Sequence, residues 1–369
     1  MKLAIHTISD DNNFGNRLQN YALQCILNKY VGQTLTLQDK NSKLNYYSFI
    51  SEMKDSSIIF PVRIFKNILE KRNFQKLSQS IKQWKRHKLF RSFTKVYVPK
   101  FKTKGIDGTI DCFIIGSDQI WNPNFRTNII DDFLPDIHHK KIISYAASIG
   151  VESLNDEEEL IFIRGLKQLD AISVREFSAQ KMIGLYTDKP VSVLIDPTML
   201  LSASEWHNLS ENVNEVVAKQ RKFIVTYFLG EISFLEKEYI NQFAEDNNLS
   251  VINISDKNSV LYEKIGPIEF LWLFENAHAI FADSYHAAVF SIIFKKYFEI
   301  FERHDSFSKM NTRMHTLFQH FSIQNRMHDI ELDNKYLEDI DYDNITEVLE
   351  KKQKEALDWL NSNLNKSVK

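Results

Sequence analysis

Short apolar runs rich in β-branched and aromatic residues recur along this chain, and stretches with helical spacing separate them. That alternation predicts a parallel sheet covered by helices. The first unit reads as a strand over residues 2–8, a polar turn over 9–15 and a helix over 16–30. In that helix Leu18, Tyr21, Ala22, Cys25 and Ile26 share one face. Further strands are predicted at 111–116, 141–146, 171–174 and 191–195, with helices at 156–168 and 176–184. Pro197 stops the last of these strands, and an acidic helical stretch follows over 202–219. A second series starts near Lys222, with strands at 222–228, 250–254, 279–282 and 297–300 and helices at 232–246, 267–276 and 286–294. A last helix is predicted over 346–364 with Thr346 as its N-cap.

The pattern divides the chain into two α/β lobes, residues 1–190 and 191–345, followed by a helical tail over 346–369. In open sheets of this kind ligands bind beyond the carboxyl ends of the strands. That rule selects four turns: 9–16, 116–122, 174–176 and 283–287.

In the last of them an apolar strand stops at Ala282 and a helix begins within three residues, at Asp283-Ser284-Tyr285-His286-Ala287. The first N–H groups of a helix lack partners within it, so they and the helix dipole favour an anion there. Asp283 or Ser284 can cap this helix. His286 stands in its first turn, where an imidazole can act as general acid or base. The plainer reading is a cap plus a histidine that satisfies local polar groups; the position at a strand end favours chemistry.

The turn Gly116-Ser117-Asp118-Gln119-Ile120-Trp121-Asn122 sets a carboxylate, two amides and an indole close together. Such a set suits a sugar, with polar groups on hydroxyls and the indole on a pyranose face. It equally suits a helix cap at Ser117 or Asp118 with Trp121 in the core. The Asn-rich turn Asn13-Phe14-Gly15-Asn16-Arg17 has one glycine and no G-x-G-x-x-G pattern, which gives dinucleotide binding little support. Arg175 follows a strand and Arg313 opens a helix. Each offers a planar fork for carboxylate or phosphate, and each has the alternative of an ion pair with a nearby acid.

Composition narrows these choices. Of 369 residues 43% are apolar and 25% charged, which excludes disorder. A formal net charge of −2 means that any anion site must come from local arrangement. Cys25 and Cys112 have neither disulfide nor metal spacing and read as core residues in a reducing compartment. His138 and His139 lack partners at ligand spacing, so no metal is expected. The start of the sequence lacks the apolar run of a signal peptide, and no apolar stretch would cross a bilayer, so a cytoplasmic protein is expected. Residues 61–104 hold fourteen lysines and arginines against one acid, Glu70, with Phe65, Phe74, Trp84, Phe90, Phe93 and Tyr97 interleaved. This reads either as a solvated face or as a surface for anionic lipid heads or a lipid-carried phosphorylated acceptor. Nucleic acid is disfavoured because no recognised module accompanies the charge.

As a set, five segments resemble the polysaccharide pyruvyl transferase family: residues 13–24 (Asn13 to Gln24), Gly116-Ser117-Asp118-Gln119-Ile120-Trp121-Asn122, Ser173-Val174-Arg175-Glu176, Asp196-Pro197-Thr198 and Ala282-Asp283-Ser284-Tyr285-His286-Ala287. Their order matches that family from residue 1 to about 326. The resemblance implies two Rossmann-like lobes, GT-B-like, facing a cleft, with the C-terminal helix packing back across both. It implies transfer of pyruvate from phosphoenolpyruvate, a co-substrate and not a cofactor, onto two hydroxyls of a sugar as a cyclic ketal. The acceptor would be a surface polysaccharide or its lipid-linked precursor. The implied catalytic residues are His286 and Asp283. Arg175, Ser284, Tyr285, Ala287 and Arg313 would hold the donor. Asn13, Asn16, Arg17, Ser117, Asp118, Gln119, Trp121 and Asn122 would hold the acceptor. Ser284 stands where some members carry arginine, and Ala287 replaces the usual glycine. A glycosyltransferase with a nucleotide-sugar donor, or a glycan-binding protein without catalysis, are the competing readings.

Overall fold

A computed structural model of the chain describes residues 1–10, 12–32, 34–37, 74–101, 110–303, 312–328 and 336–365. In the N-terminal lobe, β1 (Leu3–His6) leads into α1 (Phe14–Asn28), and β2 (Thr34–Leu37), α2 (Phe74–Tyr97), β3 (Lys100–Phe101) and β4 (Cys112–Ile115) follow. The lobe continues with β5 (Lys141–Ala147), α3 (Asp156–Leu166), β6 (Ala171–Val174), α4 (Phe177–Ile183) and β7 (Val191–Val193). The seven strands form one parallel sheet in the order β3-β2-β1-β4-β5-β6-β7, the doubly wound order of dinucleotide folds. Every residue of β4 and β5 is buried, because both sheet faces are covered.

A linker carries α5 (Ala203–Ser210) and α6 (Glu215–Ala218). The C-terminal lobe then runs β8 (Phe223–Tyr227), α7 (Phe234–Asp246), β9 (Ser250–Asn253), α8 (Pro267–Asn276), β10 (Ala279–Ala282), α9 (Tyr285–Ile293), β11 (Tyr297–Phe301), α10 (Thr312–Phe321) and β12 (Met327–His328). Its parallel sheet has the order β12-β11-β10-β8-β9, so the strand order reverses between β8 and β10. The corresponding reversal in the N-terminal sheet lies between β1 and β4. Each reversal opens a crevice at the strands' carboxyl ends, and the two crevices face one another. The two Rossmann-like, GT-B-like lobes implied by the sequence resemblance are what the chain adopts.

Several boundaries differ from the sequence reading. β7 pairs with β6 through Ile172 opposite Val191, so the first lobe extends past residue 190. The stretch 202–219 breaks into α5 and α6 because Asn214 caps a new helix. The last helix, α11 (Tyr342–Leu364), starts earlier than 346 and is capped by Asp341. Thr346 lies inside it, and its hydroxyl donates back to the Tyr342 carbonyl at 2.6 Å. α11 crosses both lobes: Tyr342 donates to the Ser291 carbonyl of α9 at 3.3 Å, Gln353 donates to the Met199 carbonyl of the linker at 2.7 Å, and Trp359 packs 6.3 Å from the Tyr145 ring of β5.

The basic segment takes a form that the sequence did not suggest. Its described part, α2, contains no acid, yet it lies against the other lobe. Arg86 is buried, donates to the Ile254 carbonyl at 2.8 Å, and stacks between Phe14 (4.8 Å) and Tyr262 (4.3 Å). Lys82 donates to the Asn258 and Ser259 carbonyls, and Lys85 pairs with Glu263 at 3.0 Å. These three cations join the lobes. Lys88, Arg91 and Lys95 remain on the exposed side. Residues 61–73 and 102–104 lie outside the described residues.

Candidate active site

Thr7 and Gln19 shape the N-terminal side of the cleft. Gln19 on α1 donates to the Thr7 hydroxyl at 3.1 Å and accepts from the Ser117 N–H at 3.3 Å. Thr7 in turn donates to the Ser117 carbonyl at 2.9 Å. Gly116 sits at φ +125°, and a Cβ there would lie 2.3 Å from the Tyr145 carbonyl oxygen, so only glycine lets the chain turn at this point. The turn then aims Asp118 into the cleft. Asn16 donates to Asp118 at 2.9 Å, and Arg313 approaches it at 3.8 Å. Burial alone would raise the Asp118 carboxyl. Arg175, His286 and Arg313 outweigh burial and hold it below the usual carboxylate range.

The C-terminal side is the turn between β10 and α9. Ser284 occupies the N-cap position of α9 without a side-chain cap bond, so the helix start presents N–H groups that no cap has filled. Asp283 does not cap the helix either. Its carboxylate accepts from the N–H groups of Leu229 and Gly230, both at 2.7 Å, and pins the loop after β8. Burial pushes its pKa up, against those two bonds and against Arg303 at 3.8 Å. Asp283 also lines the cleft beside His286, so the carboxylate that pins this loop borders the cavity as well.

Tyr285 lies between two guanidinium groups, with Arg175 at 5.0 Å and Arg313 at 5.6 Å from its ring. Arg175 is buried beneath this layer. It bonds the Ser117 hydroxyl and pairs with Asp196 at 2.9 Å. Burial would lower Arg175, but Asp196 and its other neighbours carry its pKa up. Arg313 is lowered by burial and by the nearby Arg175 charge.

A cavity of about 150 Å³ lies between the two sides. Asn13, Asn16, Asp118 and Gln119 line one wall, and Ser284, Tyr285, His286, Arg303 and Arg313 line the other. The expected donor and acceptor residues therefore meet in one cleft, with exceptions. Trp121 is fully buried, stacked on Phe133 at 5.2 Å and edge-on to Phe162, so its indole has no face left for a sugar. Asn122 is buried and caps the short turn 123–125. Arg17 is buried against the Ile8 carbonyl and the Asn16 side chain. Ser117, Arg175 and Ala287 are buried behind the wall. Neither Ser117 nor Asp118 caps a helix.

Among the described residues no group of three or more His, Cys, Asp or Glu side chains could hold a metal. No described helix is long and apolar enough to cross a membrane.

A sequence model of the family described as polysaccharide pyruvyl transferase matches residues 13–305, and that span contains both walls of the cleft up to Arg303. The chain belongs to the polysaccharide pyruvyl transferase family. No curated protein matches the sequence. Among solved structures the chain is similar to UDP-GlcNAc 2-epimerase from Neisseria meningitidis bound to UDP-GlcNAc, at 12% identity over 100% of each chain and a TM-score of 0.49. It is also similar to UDP-N-acetylglucosamine 2-epimerase from Rickettsia bellii, at 10% identity over 98% of each chain and a TM-score of 0.39.

Within this pyruvyl transferase chain three residues gain a place that sequence reasoning had not given them. Gly15 faces the catalytic candidate: a Cβ there would lie 2.0 Å from His286 Nδ1. Arg303, just past β11, lines the cleft on the side where Ser284 brings no charge. Asp196, on the linker, reaches under the cleft to Arg175. The run Asp196-Pro197-Thr198 was a signal for the last, and Gly15 lies in the Asn-rich turn; Arg303 stands two residues beyond the carboxyl end of β11, a strand end that was not among the four turns selected.

Proposed function

We propose that this transferase moves pyruvate from phosphoenolpyruvate onto two hydroxyls of a sugar, forming a cyclic ketal and releasing phosphate. The supporting observation is that an uncapped helix start, His286, Arg303 and Arg313 converge on one wall of the cleft. A donor carrying both phosphate and carboxylate needs cations and N–H groups in that arrangement. Arg303 and Arg313 supply the charge that Ser284 does not.

In the proposed reaction the enol methylene takes a proton and becomes the methyl group. The first sugar hydroxyl adds to the resulting oxocarbenium-like carbon and loses its proton. The second hydroxyl replaces phosphate at that carbon, and its proton leaves with the phosphate. His286 is the group placed to give or take these protons, a role worth about 10²–10⁴-fold in rate. Asn13, Asn16, Asp118 and Gln119 on the facing wall offer amides and a carboxylate to the hydroxyl pair. The acceptor is a surface polysaccharide unit or its lipid-linked precursor, handled at the inner face of the membrane.

A donor screen by thermal shift and mass spectrometry tests this. Stabilisation by phosphoenolpyruvate and an acceptor mass gain of pyruvate minus water are expected. Stabilisation by a nucleotide-sugar with none by phosphoenolpyruvate refutes the donor. Unchanged turnover in His286→Ala refutes the catalytic assignment.

A further inference from the structure

We propose that Asp196 is the positioning residue for His286: a linker carboxylate, buried beneath the cleft, that sets the imidazole and holds its Nε2 side. The inference rests on the reading of His286 as the proton-transfer group.

Asp196 is fully buried and its two oxygens have separate work. Oδ1 accepts from the Thr198 N–H at 2.9 Å and from the Thr198 hydroxyl at 2.6 Å. These bonds close a tight local turn and fix the plane of the carboxylate. Oδ2 is thereby aimed the other way, toward Arg175 Nη2 at 2.9 Å, the Ser117 hydroxyl at 3.4 Å and His286 Nε2 at 3.7 Å. The last distance is within ion-pair reach and beyond a hydrogen bond. His286 Nε2 is sealed from solvent and has no hydrogen-bond partner. A buried ring N–H with no partner is costly, and Asp196 is the carboxylate that a shift of under about 1 Å would bring into bonding range.

The other ring nitrogen, Nδ1, lies against Gly15, where the absent Cβ leaves it room. The imidazole is thus seated with a carboxylate behind its sealed Nε2, and Nδ1, beside Gly15 at the cleft, is the nitrogen left to exchange a proton with a substrate. The same geometry orients histidine in hydrolytic triads, where a buried carboxylate fixes the tautomer and stabilises the imidazolium. Arg175 keeps Asp196 ionised despite its burial, so the charge persists. The three groups come from the N-terminal lobe (Arg175), the linker (Asp196) and the C-terminal lobe (His286). The carboxylate therefore registers the histidine against the wall that carries Asp118.

The test is Asp196→Asn in the full-length protein. It keeps the side chain's shape and an oxygen for Thr198 while removing the charge. Turnover is expected to fall about 10²-fold or more, with KM for phosphoenolpyruvate changed less than about threefold, because Asp196 does not line the cleft. A donor-independent readout accompanies it. In long-range ¹H–¹⁵N spectra of the substrate-free protein, the His286 Nε2 resonance, assigned by its loss in His286→Gln, should move in Asp196→Asn. An unmoved Nε2 resonance overturns the proposal even if pyruvyl transfer is confirmed. A moved resonance in a protein that neither binds nor uses phosphoenolpyruvate overturns the donor reading and leaves the pairing standing. If Asp196→Asn does not fold, Thr198→Val is the second variant. It removes the hydroxyl bond and keeps the N–H bond, which loosens the carboxylate, and about a threefold to tenfold loss in turnover at constant KM is expected; parental turnover overturns the proposal.

Discussion

Replacing Gly15 by alanine adds one methyl group, and the structure says where it goes. The new carbon would stand 2.0 Å from His286 Nδ1, 2.2 Å from Cγ and 2.6 Å from Cε1. Ordinary carbon contacts begin near 3.5 Å, so the ring must retreat by about 1.5 Å or α1 must lift from the cleft. For folding, the clash costs about 1–3 kcal/mol. Alanine in a helix offsets about 1 kcal/mol of that, which leaves a loss of about 0–2 kcal/mol. For catalysis, a displacement of about 1 Å in a reacting group can cost about 10²-fold, equal to about 2.7 kcal/mol of barrier. The expected result is a protein nearly as stable as the parent, by urea melt, with turnover reduced about a hundredfold. The double variant Gly15→Ala with His286→Ala should be no slower than His286→Ala alone, since the displaced ring is already gone. Turnover within twofold of the parent, or fully additive losses in the double variant, refutes the argument.

Two further outcomes follow from the same description. Asp283→Asn keeps the size of the side chain but presents an amide where two N–H groups donate to a carboxylate; a stability loss of about 1–3 kcal/mol by urea melt is expected, and none would show that the loop after β8 holds without it. Anionic vesicles should retain the protein at low salt and release it as salt rises, with Lys88→Glu/Arg91→Glu/Lys95→Glu abolishing retention; equal retention by neutral vesicles, or none by anionic ones, refutes membrane docking through α2.

Local patterning made much of the fold legible. β4 and β10 are apolar throughout because both their faces are covered, and the polar turns that punctuate them mark the carboxyl ends where the cleft lies. The histidine turn was readable because a strand end and a helix start adjoin in sequence. What escaped depends on partners far along the chain. Trp121 looks like a sugar platform until Phe133 and Phe162 are seen to take both its face and its edge. Asp283 looks like a cap because the backbone that it grips lies 54 residues earlier. Arg86 counts as one more basic residue of its helix until the Ile254 carbonyl, 168 residues on, accepts its hydrogen bond. Asp196 adjoins a proline in a linker, and its value arises only when Arg175 and His286 meet there.

The apolar interior does not stop at the lobe boundary. One continuous cluster runs from Leu3 and Ile5 of the first sheet through Trp206 of the linker to Val225, Phe290 and Leu360. Phe14 of α1 is stacked at 4.6 Å on Phe270 of α8. Wide hinge opening, the usual motion of two-lobed proteins whose facing surfaces are polar, would here tear that cluster and wet its rings. The lobes are welded, so they should melt as a single cooperative unit. A ligand must then enter past side chains and loop tips into a cleft whose width is already set, so selection rests on the fit of a preformed slot.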